Sequence, residues 1–78
     1  MTNRTKEAAL AVAQAVICNA MDAAGMSRAD LARKMGKKRP YITRILSGKH
    51  NLTVKTLAQA LEATGHILFL SYVPKGKP

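Results

Sequence analysis

The fold is decided by the stretch SRADLARKMGKKRPYITRILSGK, which spans residues 27–49. Its first part predicts a helix over residues 28–35, because Ser27 is a good helix cap and an apolar stripe with helical spacing follows it. The stripe consists of Leu31, Ala32 and Met35. Gly36 is expected to end this helix, since glycine readily adopts the left-handed backbone of a tight turn.

The second part of the stretch predicts another helix after a turn at residues 37–39. Pro40 suits the first helical position, where its missing N–H costs nothing, and this places Arg39 at the boundary. The helix is expected to run to residue 46 or 47 and to end before Gly48. Its apolar stripe consists of Ile42, Ile45 and Leu46. The opposite face consists of Pro40, Thr43, Arg44 and Ser47, with Lys38 and Arg39 in front.

Helical patterns also flank this stretch on both sides. Residues 5–24 predict a first helix that ends before Gly25. Thr53 is expected to cap a fourth helix that runs through Thr64 and ends before Gly65. We expect the first helix to bury Leu10, Ala13, Ile17, Met21 and Ala24, and the fourth to bury Val54, Leu57, Ala60 and Leu61. Cys18 lies in the first of these patterns, so we expect it to be a small core residue. We also expect the protein to lie in a reducing compartment.

The segment at residues 66–73 changes to the period of a β-strand, and Pro74 breaks it. A single strand needs a partner for its backbone N–H and C=O groups, and the chain offers no second strand. The simplest partner is the same strand of another copy, paired antiparallel across a two-fold axis. The residues expected at this dimer interface are Ile67, Leu68, Phe69, Leu70 and Tyr72.

Positive charge is concentrated in the middle of the chain. The net charge is +9, and residues 28–55 contain nine Lys or Arg and one Asp, which accounts for +8 of it. A patch of positive charge suits a polyanionic ligand. Nucleic acid is the first candidate and an acidic membrane surface the second, although a solvated surface without a ligand is the simpler alternative. The 78 residues favour a single domain over residues 1–78, with a core at residues 5–65.

The sequence argues against several other classes of protein. We expect no signal peptide, because the N-terminus lacks the basic, apolar and cleavage regions in order. The longest nearly apolar run, residues 8–18, is too short for a membrane span of about 20 residues. We expect no enzyme, since no paired carboxylates, Ser-His-Asp set or glycine-rich phosphate loop is present. We also expect no cofactor and no metal, because His50 and His66 lack ligand spacing with Cys18.

Two short helices joined by a glycine turn form a helix-turn-helix arrangement. Residues 27–65 resemble the lambda-repressor-like (Cro/C1-type, XRE-type) family of DNA-binding domains. The matching positions are Leu31, Ala32, Met35, Gly36, Ile42, Ile45, Gly48, Lys49 and Leu57. The resemblance implies a mainly α fold with four helices. Here the C-terminal strand at residues 66–73 takes the place of the fifth helix that is common in the family.

The resemblance also implies which residues touch DNA. Those at the base-reading positions are Lys38, Arg39, Pro40, Thr43 and Arg44. Arg39 and Arg44 suit bidentate contacts to guanine O6 and N7. The expected phosphate contacts are Arg28, Lys37, Lys49 and Lys55. Tyr41 either donates its hydroxyl to a phosphate or packs beside the helix, and the sequence does not separate these. Pro40 departs from the polar base-reading residue of many members.

The function expected from these features is that of a cytoplasmic, homodimeric repressor that reads a palindromic operator in double-stranded DNA. An alternative is an antitoxin that also neutralises a partner toxin, since small helix-turn-helix proteins with a dimerising strand resemble HipB-like antitoxins. A phage repressor is equally compatible with the sequence. Binding to RNA or membranes through charge alone ranks last, because it gives no reason for the ordered glycine and isoleucine spacing.

Overall fold

The computed structural model of the chain describes residues 2–47 and 52–76, with side chains from residue 7 onward. Within these residues the chain forms four α-helices: α1 (Thr2–Ala24), α2 (Arg28–Met35), α3 (Arg39–Ile45) and α4 (Val54–Ala63). The mainly helical fold expected from the sequence is therefore confirmed. No single described helix is long and apolar enough to span a membrane. Glu7–Ala24 and Arg28–Met35 reach the length and apolar composition of a span only when taken together, as a pair bent by 98°.

Four helix ends differ from the predicted bounds. The first helix begins at Thr2 rather than at residue 5. Helix α3 begins at Arg39, with Lys38 as the N-cap, so Pro40 is the second helical residue. Proline is tolerated there because the N–H groups of the whole first turn have no partner inside the helix. Helices α3 and α4 end at Ile45 and Ala63, one residue or more before the predicted ends.

Helix α2 begins with a reciprocal pair of hydrogen bonds between Ser27 and Asp30. The Ser27 hydroxyl accepts from the Asp30 N–H at 3.1 Å, and the Asp30 carboxylate accepts from the Ser27 N–H at 3.0 Å. These two bonds form a capping box and confirm the predicted cap. The hydrogen bond from the Ser27 backbone N–H to the carboxylate lowers the pKa of Asp30 below its usual value of 3.8.

The turn between α2 and α3 is made by Gly36, whose φ of 70° lies in the left-handed region. The N–H of Lys37 donates to the carbonyl oxygen of Ala32 at 2.8 Å, and the N–H of Gly36 donates to that of Arg33 at 3.2 Å. These bonds satisfy carbonyl groups that the end of the helix leaves open. The chain then needs only Lys37 and Lys38 to reach the start of α3.

The core is assembled from one apolar stripe of each helix. Helix α2 packs on α3 and α4, and α1 packs on α4. The clustered buried side chains are Ile17 and Met21 from α1, Leu31 and Ala32 from α2, Ile42 and Ile45 from α3, and Ala60 from α4. All seven belong to the stripes predicted from the sequence. Burial of these side chains fixes the orientation of α2 and α3 relative to each other.

Three side chains that were expected in the core lie on the surface instead. Cys18 is exposed, because one residue of helix turns it about 100° away from the buried Ile17. Ala24, at the end of α1, is exposed as well. Val54 is 59% exposed, because it is the first residue of α4 and precedes the buried positions of that helix.

The segment after α4 leaves the helical body at Gly65. The N–H of His66 donates to the carbonyl oxygen of Leu61 at 2.9 Å, and the backbone of residues 66–76 has no regular secondary structure. Most of its large apolar side chains are exposed, including Ile67, Phe69 and Tyr72. A lone strand has no ladder to join. The strand over residues 66–73 and its pairing across a two-fold axis therefore stay predictions.

Candidate nucleic-acid interface

Helix α3 has one face anchored in the core and the other face open to solvent. Ile42 and Ile45 are almost completely buried, at 0% and 1% exposure. The side chains of Pro40, Thr43 and Arg44 are exposed. Because residues three and four apart lie on the same side of a helix, burial of the isoleucines determines which way the exposed face points.

The exposed face of α3 contains an open depression, which we call the α3 depression. Its volume is about 530 Å³, its walls are mostly apolar, and it is lined by Arg39, Pro40, Thr43, Arg44 and Ser47. Four of the five predicted base-reading residues are thus brought together on one surface. Ser47 was not among the predicted readers. Helical spacing had already placed it on the same face as Pro40, Thr43 and Arg44.

The fifth predicted reader, Lys38, lies immediately before the depression in the chain. It is the N-cap residue of α3, and its side chain makes no capping hydrogen bond. An ammonium group has only donors, so it is unable to accept from the open N–H groups of the first turn. Lys38 is exposed, and its ammonium is available to an external acceptor.

The residues expected to contact phosphates lie at the edges of the helices around α3. Arg28 is the first residue of α2 and Lys55 is the second residue of α4, and both are exposed. The Lys37 ammonium lies 5.1 Å from the centre of the Tyr41 ring, within reach of a cation–π interaction. The ring of Tyr41 is half-buried and packs against the core. Lys49 lies outside the described residues.

The electrostatic character of this surface is strongly positive. Among the described residues, the ion pair present joins Arg33 to Asp30, and both side chains lie within α2. The predicted base readers Arg39 and Arg44 take no part in it. Positive charge that is not paired internally is available for a polyanion. In the described part of the chain, no group of three or more His, Cys, Asp or Glu is placed to hold a metal ion.

A second surface, which we call the α1–α4 groove, was missed by sequence reasoning. It is a mostly apolar groove of about 870 Å³ between α1, α4 and residues 66–71. The exposed side chains of Val12 and Val16 line it on α1, and Phe69 and Leu70 line it on the C-terminal segment. No Lys, Arg, Asp or Glu side chain of the described residues lines this groove, although His66 does. The two valines fall beside the main apolar stripe of α1, which was the available signal.

The sequence is similar to those of known proteins. The family model described as Helix-turn-helix matches residues 19–67, which is more than half of the chain. Antitoxin HicB of Pseudomonas fluorescens (strain Pf0-1) is 32% identical over 63 residues, which cover 81% of this chain and 43% of that protein. The chain thus spans less than half the length of this curated relative. No solved structure gives a significant match.

Proposed function

This chain belongs to the Cro/C1-type helix-turn-helix family of DNA-binding domains, and on that premise we propose that it is a cytoplasmic, homodimeric repressor of transcription. The observation that carries the proposal is the anchoring of α3 by Ile42 and Ile45 with its polar, cationic face outward. An α-helix fits the major groove of B-DNA, where its side chains reach base edges. Residues 1–78 act as a single domain in this proposal.

Base reading is assigned to the face of α3 and the residue before it. Arg39 and Arg44 donate bidentate hydrogen bonds to guanine O6 and N7, each contributing about 1–3 kcal/mol of discrimination. Lys38 and Thr43 contact neighbouring base edges, and Pro40 makes an apolar contact. The support for this assignment is that four of these five side chains line one depression and all five are exposed.

Positioning on the DNA is assigned to the cations around α3. Arg28, Lys37, Lys49 and Lys55 contact phosphates, which fixes orientation without reading sequence. The packed ring of Tyr41 holds the ammonium of Lys37 in place. The hydroxyl of Tyr41 donates to a phosphate of the DNA strand that Lys37 contacts. Each phosphate contact releases bound counterions, so affinity should fall as salt is raised.

The homodimer forms through the C-terminal segment. Residues 66–73 of two copies pair as antiparallel strands, and the paired segments cover the α1–α4 grooves of both copies. The support is that Ile67, Phe69 and Tyr72 are 84–92% exposed in the single chain, and that no Lys, Arg, Asp or Glu of the described residues lines the groove. Two copies of a chain with a net charge of +9 can therefore approach on this side with little repulsion.

Two recognition helices related by a two-fold axis would enter successive major grooves about 34–36 Å apart, on a palindromic operator. The test is selection from a random double-stranded DNA library, followed by gel shifts with excess nonspecific competitor. We expect a palindrome with half-sites one helical turn apart. Enrichment of no sequence would contradict the proposal and would favour binding to polyanions by charge alone.

A second candidate function is that of an antitoxin that also binds a partner toxin and represses its own operon. The observation that favours it is the similarity to a protein named antitoxin HicB. This function is compatible with the first, since the same domain would bind the operator. Co-expression with the product of the neighbouring gene tests it. Copurification of the two chains and loss of the neighbour's toxicity would support it, and independent purification of both would contradict it.

A further inference from the structure

The α3 depression has a composition that is unusual for a surface expected to read polar base edges. Its walls are mostly apolar, although two arginines, a threonine and a serine line it together with Pro40. We propose that the part of the depression between Pro40 and Thr43 is a binding site for the 5-methyl group of a pyrimidine base. This inference rests on the proposed function, because it requires α3 to enter the major groove.

The chemistry of the lining side chains supports an apolar ligand. The side chain of Pro40 is a hydrocarbon, and its backbone nitrogen has no hydrogen to donate. The hydroxyl of Ser47 donates to the backbone carbonyl oxygen of Arg44 at 2.8 Å, so its proton is directed to the protein. The side chain of Thr43 carries a methyl group, and that of Arg44 carries a stem of methylene groups. A polar base edge placed here would exchange water for few hydrogen bonds, which is unfavourable.

The major groove offers one apolar group that fits this place. Among the four bases, only thymine carries a methyl group there, at C5. Moving a methyl group from water into contact with apolar side chains is favourable, and one methyl or methylene group changes affinity by about fourfold. Arg39 and Arg44 line the same depression, so hydrogen bonds to bases beside the pyrimidine would hold it in register. 5-Methylcytosine presents the same group, and binding to methylated and unmethylated C·G pairs distinguishes these two sources.

The test starts from the operator obtained by selection, in which each thymine of a half-site is replaced singly by deoxyuridine. This change removes the methyl group and leaves base pairing intact. Wild-type protein is compared with Pro40→Ala and with Thr43→Ser, which removes only the methyl group of that side chain. The matched control is Gln59→Ala, an exposed change on α4. Thermal melts followed by circular dichroism confirm that all variants fold.

We expect one position in each half-site where deoxyuridine weakens wild-type binding by about fourfold per half-site. Gln59→Ala should keep this loss, while Pro40→Ala should abolish it and Thr43→Ser should reduce it. A C·G pair at the same position should bind more tightly once its cytosine is methylated at C5, in wild type but not in Pro40→Ala. That gain shows that the methyl group itself is bound, whichever pyrimidine carries it.

Three results would overturn the inference. The first is no loss of affinity when deoxyuridine replaces any thymine, and the second is a loss of affinity that is as large in Pro40→Ala as in wild type. The third is no gain of affinity with 5-methylcytosine. In each case an enriched operator would still bind, so the proposed function would stand. Failure to enrich any operator is a different result, because it overturns the proposed function and removes the premise of the methyl site with it.

Discussion

Arg44 and Lys55 are both exposed cations, but we expect them to contact different parts of DNA. Arg44→Ala should relax the preference at one base pair of each half-site by about 1–3 kcal/mol, because a bidentate contact to guanine is lost. The measurement is a gel-shift series over operators with single base changes, performed at one fixed salt concentration.

Lys55→Ala is the matched control for this prediction. It should weaken binding to all sequences similarly and reduce the slope of log affinity against log salt by about one, since one phosphate contact per copy is lost. An Arg44→Ala protein that loses affinity equally for all sequences would show that Arg44 contacts phosphate rather than bases.

Pro40 offers a change of specificity at a single side chain. Pro40→Gln should introduce a preference for adenine at the pyrimidine position, because the glutamine amide hydrogen-bonds adenine N6 and N7. Selection repeated with the variant measures the preference. An unchanged consensus would show that Pro40 does not face a base.

Individual side chains show where sequence reasoning succeeds and where it fails. Burial of Ile42 and exposure of Arg44 followed from helical spacing, because a helix with one apolar stripe has only one way to face the core. Cys18 was assigned to the core because it lies in the helical pattern of α1, and Val54 because it falls in the apolar stripe of α4. Exposure of a single apolar side chain costs little, so such positions depend on the exact rotation and start of a helix. The roles of the predicted DNA contacts stay predictions.

Helix α2 owes its N-terminus to the capping box, and removal of the cap is a direct test. Ser27→Ala should destabilise the fold by about 1 kcal/mol, because the N–H of Asp30 loses its acceptor. Urea denaturation of wild type and variant measures this difference. A comparison with Thr53→Ala, which removes the N-cap of α4, shows whether the two caps contribute similarly.

The same box predicts a dependence of stability on pH. The pKa of Asp30 is lowered in the folded protein, mainly by the hydrogen bond from the Ser27 backbone. The stabilisation from this carboxylate is therefore present above the unfolded pKa, near 3.8, and is lost as the pH falls through the lower folded pKa. Wild type should lose more stability than Asp30→Asn as the pH is lowered through this range in urea titrations. Parallel curves would contradict the prediction.

The ends of the helices were predicted to within a few residues. Local signals mark most of these ends: a glycine follows α1, α2 and α4, and Ser27 and Thr53 are caps. Such signals can be read without knowledge of the fold. The start of α3 was predicted one residue late, because Lys38 is a poor cap and no side chain defines the first turn there. Tertiary contacts of Ile42 and Ile45 hold that helix instead.

For the molecule as a whole, a charge placed in the C-terminal segment tests the proposed dimer. Phe69→Asp should convert a dimer to monomers in sedimentation equilibrium, because a buried charge at the interface is unfavourable. Val54→Asp is the matched control, since Val54 is an exposed apolar residue that does not line the α1–α4 groove. Monomers from both variants, or dimers from both, would contradict an interface at the C-terminal segment.

The four-helix body and the dimer differ in how far a sequence can specify them. The stripes around Leu31 and Ile42 predict the body, because each helix must bury its apolar face within the same chain. The partner of residues 66–73 lies in a second chain, and its contribution to stability appears only on association. The alternating apolar residues predict a strand that needs a partner strand, but they do not identify that partner.

The central claim is that the outward face of α3 reads DNA sequence, and the ratio of two dissociation constants tests it most directly. The selected operator and a duplex of the same composition in shuffled order are titrated with wild-type protein at an ionic strength of about 0.15 M. Sequence-specific reading predicts an operator affinity at least about a thousandfold higher. Affinities that agree within about tenfold would show that charge alone binds the DNA, and would contradict the claim.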